Sequence, residues 1–282
     1  MRSYASNINH LSSRVESLFD TLINRSKIHR KKCGANVKRE LCRDFVSVIR
    51  GVRPAFMLDY APLLCKEDVE LMCKELNKEL FLVGSSRSNG GEGVHLKVCT
   101  VLDTVVLVTI GGGDESFSAS SHDMKEMPIL VDLDEEQAGS RRLEPSELVV
   151  ITACRAKVAS NSRANIDETD LGDGVIPPQT FVGWMLGYPI LYYYGLNKEE
   201  NEEWSARVAA RKLSLCSLVK IECIDDKNEV MYGFTYPENL NEDALIKETL
   251  KSWMDGIQKQ KQQYAIGLSV CVTHCRPSPV AL

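Results

Sequence analysis

The chain has 282 residues, of which 44% are hydrophobic and 26% charged, and its formal net charge is −5. This composition is typical of a folded protein with a sizeable core and excludes a largely disordered chain. The negative net charge also argues against a molecule built throughout to bind nucleic acid or an anionic membrane.

Apolar residues repeat at helical spacing in the first third of the chain, and the segments between them favour strands. Helices are predicted at about 8–32, 36–50 and 66–78. Strands are predicted at 55–58, 80–83, 94–98 and 105–110. The last two strands should form a hairpin that turns near Leu102-Asp103, and the glycine-rich stretch 84–93 should be a flexible loop.

In the rest of the chain, turn-forming residues separate shorter predicted elements. Flexible or polar segments are predicted at 111–127, at 161–174 and in a short C-terminal tail, 276–282. Strands are predicted at 128–133, 189–194, 213–224, 229–236 and 264–273. Helices are predicted at about 177–186 and after Asn241, which should cap an amphipathic helix with Trp253 on its inner face. Residues 146–159 are assigned to a helix, because Pro145 is typical of a helix start, although Leu148–Thr152 favours a strand.

These elements predict an α+β (mixed α/β) fold in which N-terminal helices pack on a mixed, largely antiparallel sheet. The sequence contains no repeat of about 20–50 residues and no Pro- or Ser-rich linker. One globular domain over residues 1–282 is therefore the simplest prediction.

The ten cysteines and the N-terminal sequence indicate a reducing compartment. Most of the cysteines lie among apolar residues, as free structural thiols do. Residues 1–19 lack the basic region, the apolar region and the cleavage site of a secretory signal. We therefore expect a soluble protein of the cytosol, with the nucleus as the alternative compartment.

The stretch Val175–Leu196 contains no charged side chain. It is long enough to cross a membrane as a helix, but Gly187-Tyr188-Pro189 is typical of a helix end. We expect a short helix and a buried strand inside the core of a water-soluble protein. The aromatic residues Trp184, Tyr188 and Tyr192–Tyr194 should fill this core rather than line a ligand pocket.

Two glycine clusters lack the partners that nucleotide binding requires. Gly111-Gly112-Gly113 follows a predicted strand, as a phosphate-binding turn would, but Asp114 and Glu115 come next and would repel a phosphate. Gly90–Gly93 contains an acid as well. No cofactor site is predicted at either loop.

Two groups of potential ligands or nucleophiles have simpler explanations. Cys271, His274 and Cys275 are zinc-ligand types, but a structural zinc site usually draws on a second pair elsewhere, which the sequence lacks. His95 precedes Cys99 on one predicted strand, where we expect His95 to face solvent rather than to activate a thiol. The sequence therefore predicts no metal site and identifies no catalytic residue in these groups.

Asp59 is the candidate for a functional carboxylate. It ends the predicted strand 55–58, and the ends of buried strands often carry functional groups. A carboxylate there could bind a metal or act as a base, whereas an aspartate shortly before Pro62 commonly caps a turn. The sequence leaves both roles open.

The segment 25–43 is the basic patch of the chain, with eight lysines or arginines and one acid. Its charge could bind a protein partner or phosphate groups. It lacks the aromatic residues that stack on bases, which disfavours nucleic acid. The solvated end of a helical hairpin remains the simpler explanation.

Two segments carry a family resemblance: Arg53–Leu63 (RPAFMLDYAPL) and Pro177–Tyr194 (PPQTFVGWMLGYPILYYY). They resemble an uncharacterised eukaryotic protein family, the one typified by the human chromosome 1 open-reading-frame 74 protein. The resemblance implies a soluble protein with one long domain. It transfers no functional residues, because the family has no established activity.

Two classes of function remain open. The first is a non-catalytic protein that acts by binding or assembly, through the basic segment 25–43 and the acidic loops. The second is an enzyme or small-molecule binder of unfamiliar type, with Asp59 in a pocket beside the Gly183–Pro189 turn.

Overall fold

The computed structural model describes residues 13–18, 20–21, 35–49, 52–58, 66–84, 95–102, 104–110, 127–133, 138–160, 163–194, 213, 216–226, 228–264 and 267–276. The chain forms two compact units, one of residues 1–120 and 157–165 and one of residues 121–156 and 166–282. Two compact units can belong to one domain or to two, so the single domain over 1–282 stays a prediction.

The described helices and strands confirm the α+β class, and the strands lie in three sheets. In chain order the elements are α1 (Ala35–Ile49), β1 (Ala55–Met57), α2 (Lys66–Gly84), β2 (His95–Val101), β3 (Thr104–Ile110), β4 (Ile129–Asp132), β5 (Gly139–Arg142), α3 (Pro145–Ser160), β6 (Arg163–Ile166), α4 (Pro178–Met185), β7 (Ile190–Tyr193), β8 (Leu218–Ile224), β9 (Val230–Pro237), a 3-10 turn (Glu238–Leu240), α5 (Ala244–Tyr264) and β10 (Ser269–Cys275).

The first unit contains a four-stranded sheet in the order β1-β3-β2-β6. The predicted β2–β3 hairpin is confirmed: Val101 pairs with Thr104 across a two-residue loop, in which Leu102 has a φ of 49°. The apolar faces of α1 and α2 pack with β1, β2 and β3 in one buried cluster, as the sequence predicted for the N-terminal helices. Its largest fully buried side chains are Phe45, Phe56, Leu41, Met72, Leu76, Leu96 and Leu107.

Two predictions for the first unit are wrong. Residues 80–83 were expected in a strand, but α2 continues to Gly84 because their apolar positions extend its helical spacing. Residues 161–174 were expected to be a polar loop, but 163–166 form β6 beside β2. Ala164 and Ile166 of β6 are buried, so two apolar residues are enough to anchor a short edge strand.

The second unit contains two three-stranded sheets, in the orders β5-β4-β7 and β10-β8-β9. β4 pairs with β7 in parallel and with β5 in antiparallel fashion. β8 pairs in antiparallel fashion with β9 and β10. The predicted turn Asp225–Asn228 joins β8 to β9, and Asp225 accepts hydrogen bonds there from the backbone N–H groups of Asn228 and Glu229.

The long helix α5 is present, but its predicted cap is wrong. The Asp243 carboxylate accepts hydrogen bonds from the backbone N–H groups of Leu245 (2.8 Å) and Ile246 (3.1 Å). Asn241 instead ends the preceding 3-10 turn and accepts a hydrogen bond from the Tyr236 hydroxyl (2.8 Å). Both residue types cap helices well, and the extra turn decides which one reaches the free N–H groups.

Two assignments in the second unit also differ from the predictions. A strand, β5, occupies Gly139–Arg142, which the sequence did not predict because its GSRR sequence has low strand propensity. Tyr264 belongs to the end of α5, so the last strand starts later, at Ser269. Helix α3 confirms the helical assignment of 146–159.

The uncharged tract lies inside the second unit, as predicted. Ile176, Phe181, Met185, Ile190 and Leu191 are each no more than 2% exposed. No helix in the described ranges has the length and apolar character to span a bilayer.

Candidate functional site

The structure tests only one half of the predicted Asp59 pocket. Asp59 lies outside the described residues, so its role stays a prediction. The Gly183–Pro189 turn is described and is a tight helix end. Gly187 has a φ of 79°, and the backbone N–H groups of Gly187 and Tyr188 bond to Trp184 O (2.9 Å) and Gly183 O (3.1 Å).

The polar groups of this turn are used within the second unit. The Tyr232 hydroxyl of β9 donates a hydrogen bond to the Gly187 carbonyl (2.5 Å). The Tyr188 ring packs on the rings of Tyr232 and Phe234, with centroids 5.5 and 6.4 Å away. The turn therefore fastens α4 and β7 to β9.

The tyrosines that follow the turn also serve packing. The Tyr192 hydroxyl is 3.1 Å from the Thr235 hydroxyl of β9, and burial raises the pKa of this phenol. The Tyr194 hydroxyl donates a hydrogen bond to the Gln179 side chain. The interpretation of this cluster as core is confirmed for these two side chains.

The described part of the basic segment 25–43 engages acids of its own chain. Lys38 pairs with Asp20 at 2.5 Å, and this hydrogen bond raises the lysine pKa. Arg43 Nε lies 3.7 Å from the Asp44 carboxylate, which also pairs with Arg53 at 2.7 Å. Residues 25–34 lie outside the described ranges, so a partner for this segment stays a prediction.

The potential zinc ligands at the C-terminal end lie on the last strand, β10. Successive side chains of a strand point to opposite faces, so His274 faces away from Cys271 and Cys275. His274 Nδ1 instead lies 3.0 Å from the Glu238 carboxylate. Over the described ranges, no group of three or more His, Cys, Asp or Glu side chains is arranged to hold a metal ion.

The cysteines that the structure describes form no disulfide bonds, and five of them are buried. Cys99, the residue weighed as a nucleophile, is fully buried, whereas His95 on the same strand is exposed as predicted. Burial raises the pKa of Cys73, and it raises the pKa of Cys223 to about 11. Such thiols are inert packing groups. Both glycine clusters, 90–93 and 111–113, lie outside the described residues.

A charged cluster that the sequence did not predict lies at the carboxyl ends of the parallel strands β4 and β7. Arg141 of β5 forms two hydrogen bonds to the Glu147 carboxylate, at 2.7 and 2.9 Å. Its guanidinium also lies 3.7 Å from the Asp132 carboxylate and 4.5 Å from the centre of the Tyr193 ring. The hydrogen bond to Glu147 raises the pKa of Arg141.

This cluster is a structural brace rather than a ligand site. Glu147 is only 3% exposed, and it also accepts a hydrogen bond from the backbone N–H of Glu144 (2.7 Å), three residues earlier. That contact is half of a capping box at the start of α3. Because Arg141 is bound at both ends of its guanidinium, the cluster ties β5 to α3. The Glu144–Glu147 spacing was the available signal in the sequence.

The most exposed regular element of the second unit is β10. None of its seven residues is buried, and Val272 is 56% exposed. One edge of β10 pairs with β8 along its full length, from Ser269 to Cys275. Among the described strands, none pairs with its other edge. We call this second edge of Ser269–Cys275 the open edge.

The open edge lacks the features that normally protect an exposed strand. Natural edge strands usually carry charged residues, proline or a bulge, which prevent pairing with other chains. The sequence SVCVTHC has no Lys, Arg, Asp, Glu or Pro, and its pairing with β8 is regular. The absence of charged residues and proline could be read from the sequence, but only the sheet topology shows that this strand lies at an edge.

Comparisons with known proteins give a family and no activity. Nothing among the curated proteins and nothing among the solved structures matches the chain. The model of one family, described as a domain of unknown function (DUF4504), matches residues 22–282. Because this match covers most of the chain, the protein belongs to the DUF4504 family.

Proposed function

We propose that this protein is a non-catalytic binding or assembly protein, and that it takes up an extended protein segment as an additional strand on the open edge of β10. The observation that carries this proposal is a regular, uncharged, seven-residue strand with an edge that no described strand covers. Strand addition is a common mode of peptide recognition and uses such an edge.

The backbone of β10 provides the binding groups. Alternate residues of an antiparallel strand direct both N–H and C=O away from the neighbouring strand, so a seven-residue edge offers about six to eight hydrogen bonds. Each contributes about 0.5–1.5 kcal/mol net. Side chains that alternate between the two faces, such as Val272 and Thr273, would then select the sequence of the added segment.

Peptides with blocked backbone groups test this proposal. A displayed library of random peptides of about nine residues is selected on the full-length protein, and the best binder is titrated by fluorescence anisotropy. Two derivatives are then compared, N-methylated at the odd or at the even positions. One should lose binding, because its methyl groups face β10, and the other should keep it, because its methyl groups face away.

The location of binding is measured by hydrogen exchange. The bound parent peptide should slow exchange at residues 269–275, whereas exchange around Val149 of α3, a residue that is 69% exposed, should not change. Equal binding of both methylated derivatives, or unchanged exchange at 269–275, would refute strand addition at the open edge.

The other predictions from the sequence are not tested by the described residues. A partner for the basic segment 25–43, a cytosolic or nuclear location, and the narrower relation to the family of the human chromosome 1 open-reading-frame 74 protein remain proposals. The alternative of an enzyme or small-molecule binder with Asp59 stays a prediction, since no observation on the described residues favours it.

A further inference from the structure

We infer that the strand added to the open edge comes from a second copy of this chain, so that two β10 strands pair in antiparallel fashion about a twofold axis at Val272. This inference rests on the proposed function, because it names the partner of the same edge. The two copies would join their β10-β8-β9 sheets into one six-stranded sheet.

The length and alternation of β10 define the register. In an antiparallel pair, two residues that face each other both direct their N–H and C=O groups toward the partner strand, or both direct them away. When the two strands are identical, this rule requires that the central residue faces its own copy, so the twofold axis passes through a residue position. Val272 is the middle of Ser269–Cys275, and an axis there uses the whole strand. Cys271 then faces Thr273 of the second copy, and Val270 faces His274.

Charge does not oppose this pairing. The seven residues of β10 include no Lys, Arg, Asp or Glu, and the carboxylate that contacts the strand, Glu238, lies 3.0 Å from His274 Nδ1. The nearest charged side chains on β8, Lys220 and Glu222, pair with each other at 2.6 Å. The net charge of −5 acts over longer distances, where it is screened beyond about 8 Å at physiological salt.

The apolar face of the sheet also ends abruptly at the proposed axis. Phe234, Ile221 and Val272 are directly paired neighbours on β9, β8 and β10. Their exposed fractions are 6%, 3% and 56%. The Trp253 ring of α5 covers Phe234 with a centroid distance of 5.1 Å. A second copy would place its own Val272 beside the first, at a Cβ separation of about 4.5–5.5 Å.

The dimer should be weak and reversible. A seven-residue strand is about 24 Å long, and a contact of one strand width buries less than the roughly 1,200 Å² of a standard stable interface. We expect a dissociation constant on the order of 10–100 µM.

Charge variants at residue 272 test the inference on the full-length chain by sedimentation equilibrium over about 1–500 µM. The wild type should show a monomer–dimer equilibrium. Val272→Lys and Val272→Glu should each be monomeric, because each variant places two like charges directly opposite each other at the twofold axis. A one-to-one mixture of the two should dimerise again. Val149→Lys, at a more exposed valine of α3, is the control and should dimerise as the wild type does.

Crosslinking tests the register. In a Cys271→Ser, Cys275→Ser background, Val272→Cys should form a disulfide-linked dimer under mild oxidation far faster than Val270→Cys, which would face His274. Equal rates would overturn the proposed axis.

The two proposals fail differently. A wild type that stays monomeric throughout, or a dimer that survives Val272→Lys, overturns the second copy as partner. If peptides still bind and only one methylated derivative loses binding, strand addition stands with a different partner. If both derivatives behave alike as well, both proposals fail.

Discussion

Replacing Glu147 with alanine should lower the free energy of unfolding of the second unit by about 3 kcal/mol. The variant loses two charge-assisted hydrogen bonds to Arg141, and these fall at the low end of about 1.5–3 kcal/mol each because the arginine side chain is 27% exposed. It also loses the bond to the Glu144 backbone, worth about 1 kcal/mol. Hydration of the released Arg141 and relief of Glu147 desolvation offset part of this loss.

The chain offers a matched control for this prediction. Arg142 pairs with Glu248 at 3.1 Å, but both side chains are at least 40% exposed. Glu248→Ala should therefore change the free energy by less than about 0.5 kcal/mol. The free energies are measured by urea unfolding.

Tryptophan fluorescence reports this part of the molecule, because the two tryptophans that the structure describes, Trp184 and Trp253, belong to the second unit. A Glu147→Ala effect no larger than that of Glu248→Ala would refute the conclusion that the buried brace stabilises this unit.

Three further predictions concern the packing of the second unit. Gly187→Ala should lower the free energy of unfolding by about 1–2 kcal/mol, because a φ of 79° strains an alanine. Equal urea midpoints for the variant and the wild type would contradict this prediction. Trp253→Ala should lower the free energy of unfolding by about 2–3 kcal/mol, because it removes a ring stacked on Tyr232 at a centroid distance of 5.8 Å. Tyr232→Phe should lower it by only about 1 kcal/mol, because it removes only the hydrogen bond from the Tyr232 hydroxyl to the Gly187 carbonyl. Stability should fall between pH 9 and about pH 11, because the thiol of Cys223 has its folded-state pKa raised from 9.0 to about 11 and the unfolded state therefore loses the proton first. In urea unfolding at a series of pH values, the free energy of unfolding of Cys223→Ala should fall less steeply with pH than that of the wild type, by up to about 1.4 kcal/mol per pH unit. Identical slopes would show that the Cys223 thiol does not cause the fall.

Sequence patterns predicted the elements whose periodicity is strong. Helix α1, the β2–β3 and β8–β9 hairpins, and the buried tract around Phe181 and Ile190 follow from spacing and turn residues alone. The errors occurred where local signals compete. Asn241 and Asp243 are equally good caps, and the stretch 80–83 is apolar enough for either a strand or the end of a helix.

The candidate sites were less accessible to sequence reasoning. The Asp59 pocket rested on one strand end and lies outside the described residues. The Arg141–Glu147 brace joins a strand to a helix, and the short GSRR segment that supplies the arginine carries no strand signal. The uncharged character of Ser269–Cys275 could be read directly, but an uncharged strand is equally typical of a buried central position.

By itself, the sequence determined which segments are apolar, which residues turn the chain, and hence the α+β class, because these depend on neighbours a few residues apart. The tertiary structure decided which strands lie beside one another, that β10 is at an edge, and that Glu147 meets Arg141. These features depend on pairings between distant segments, and a period of two is the same in every strand whatever its position in a sheet.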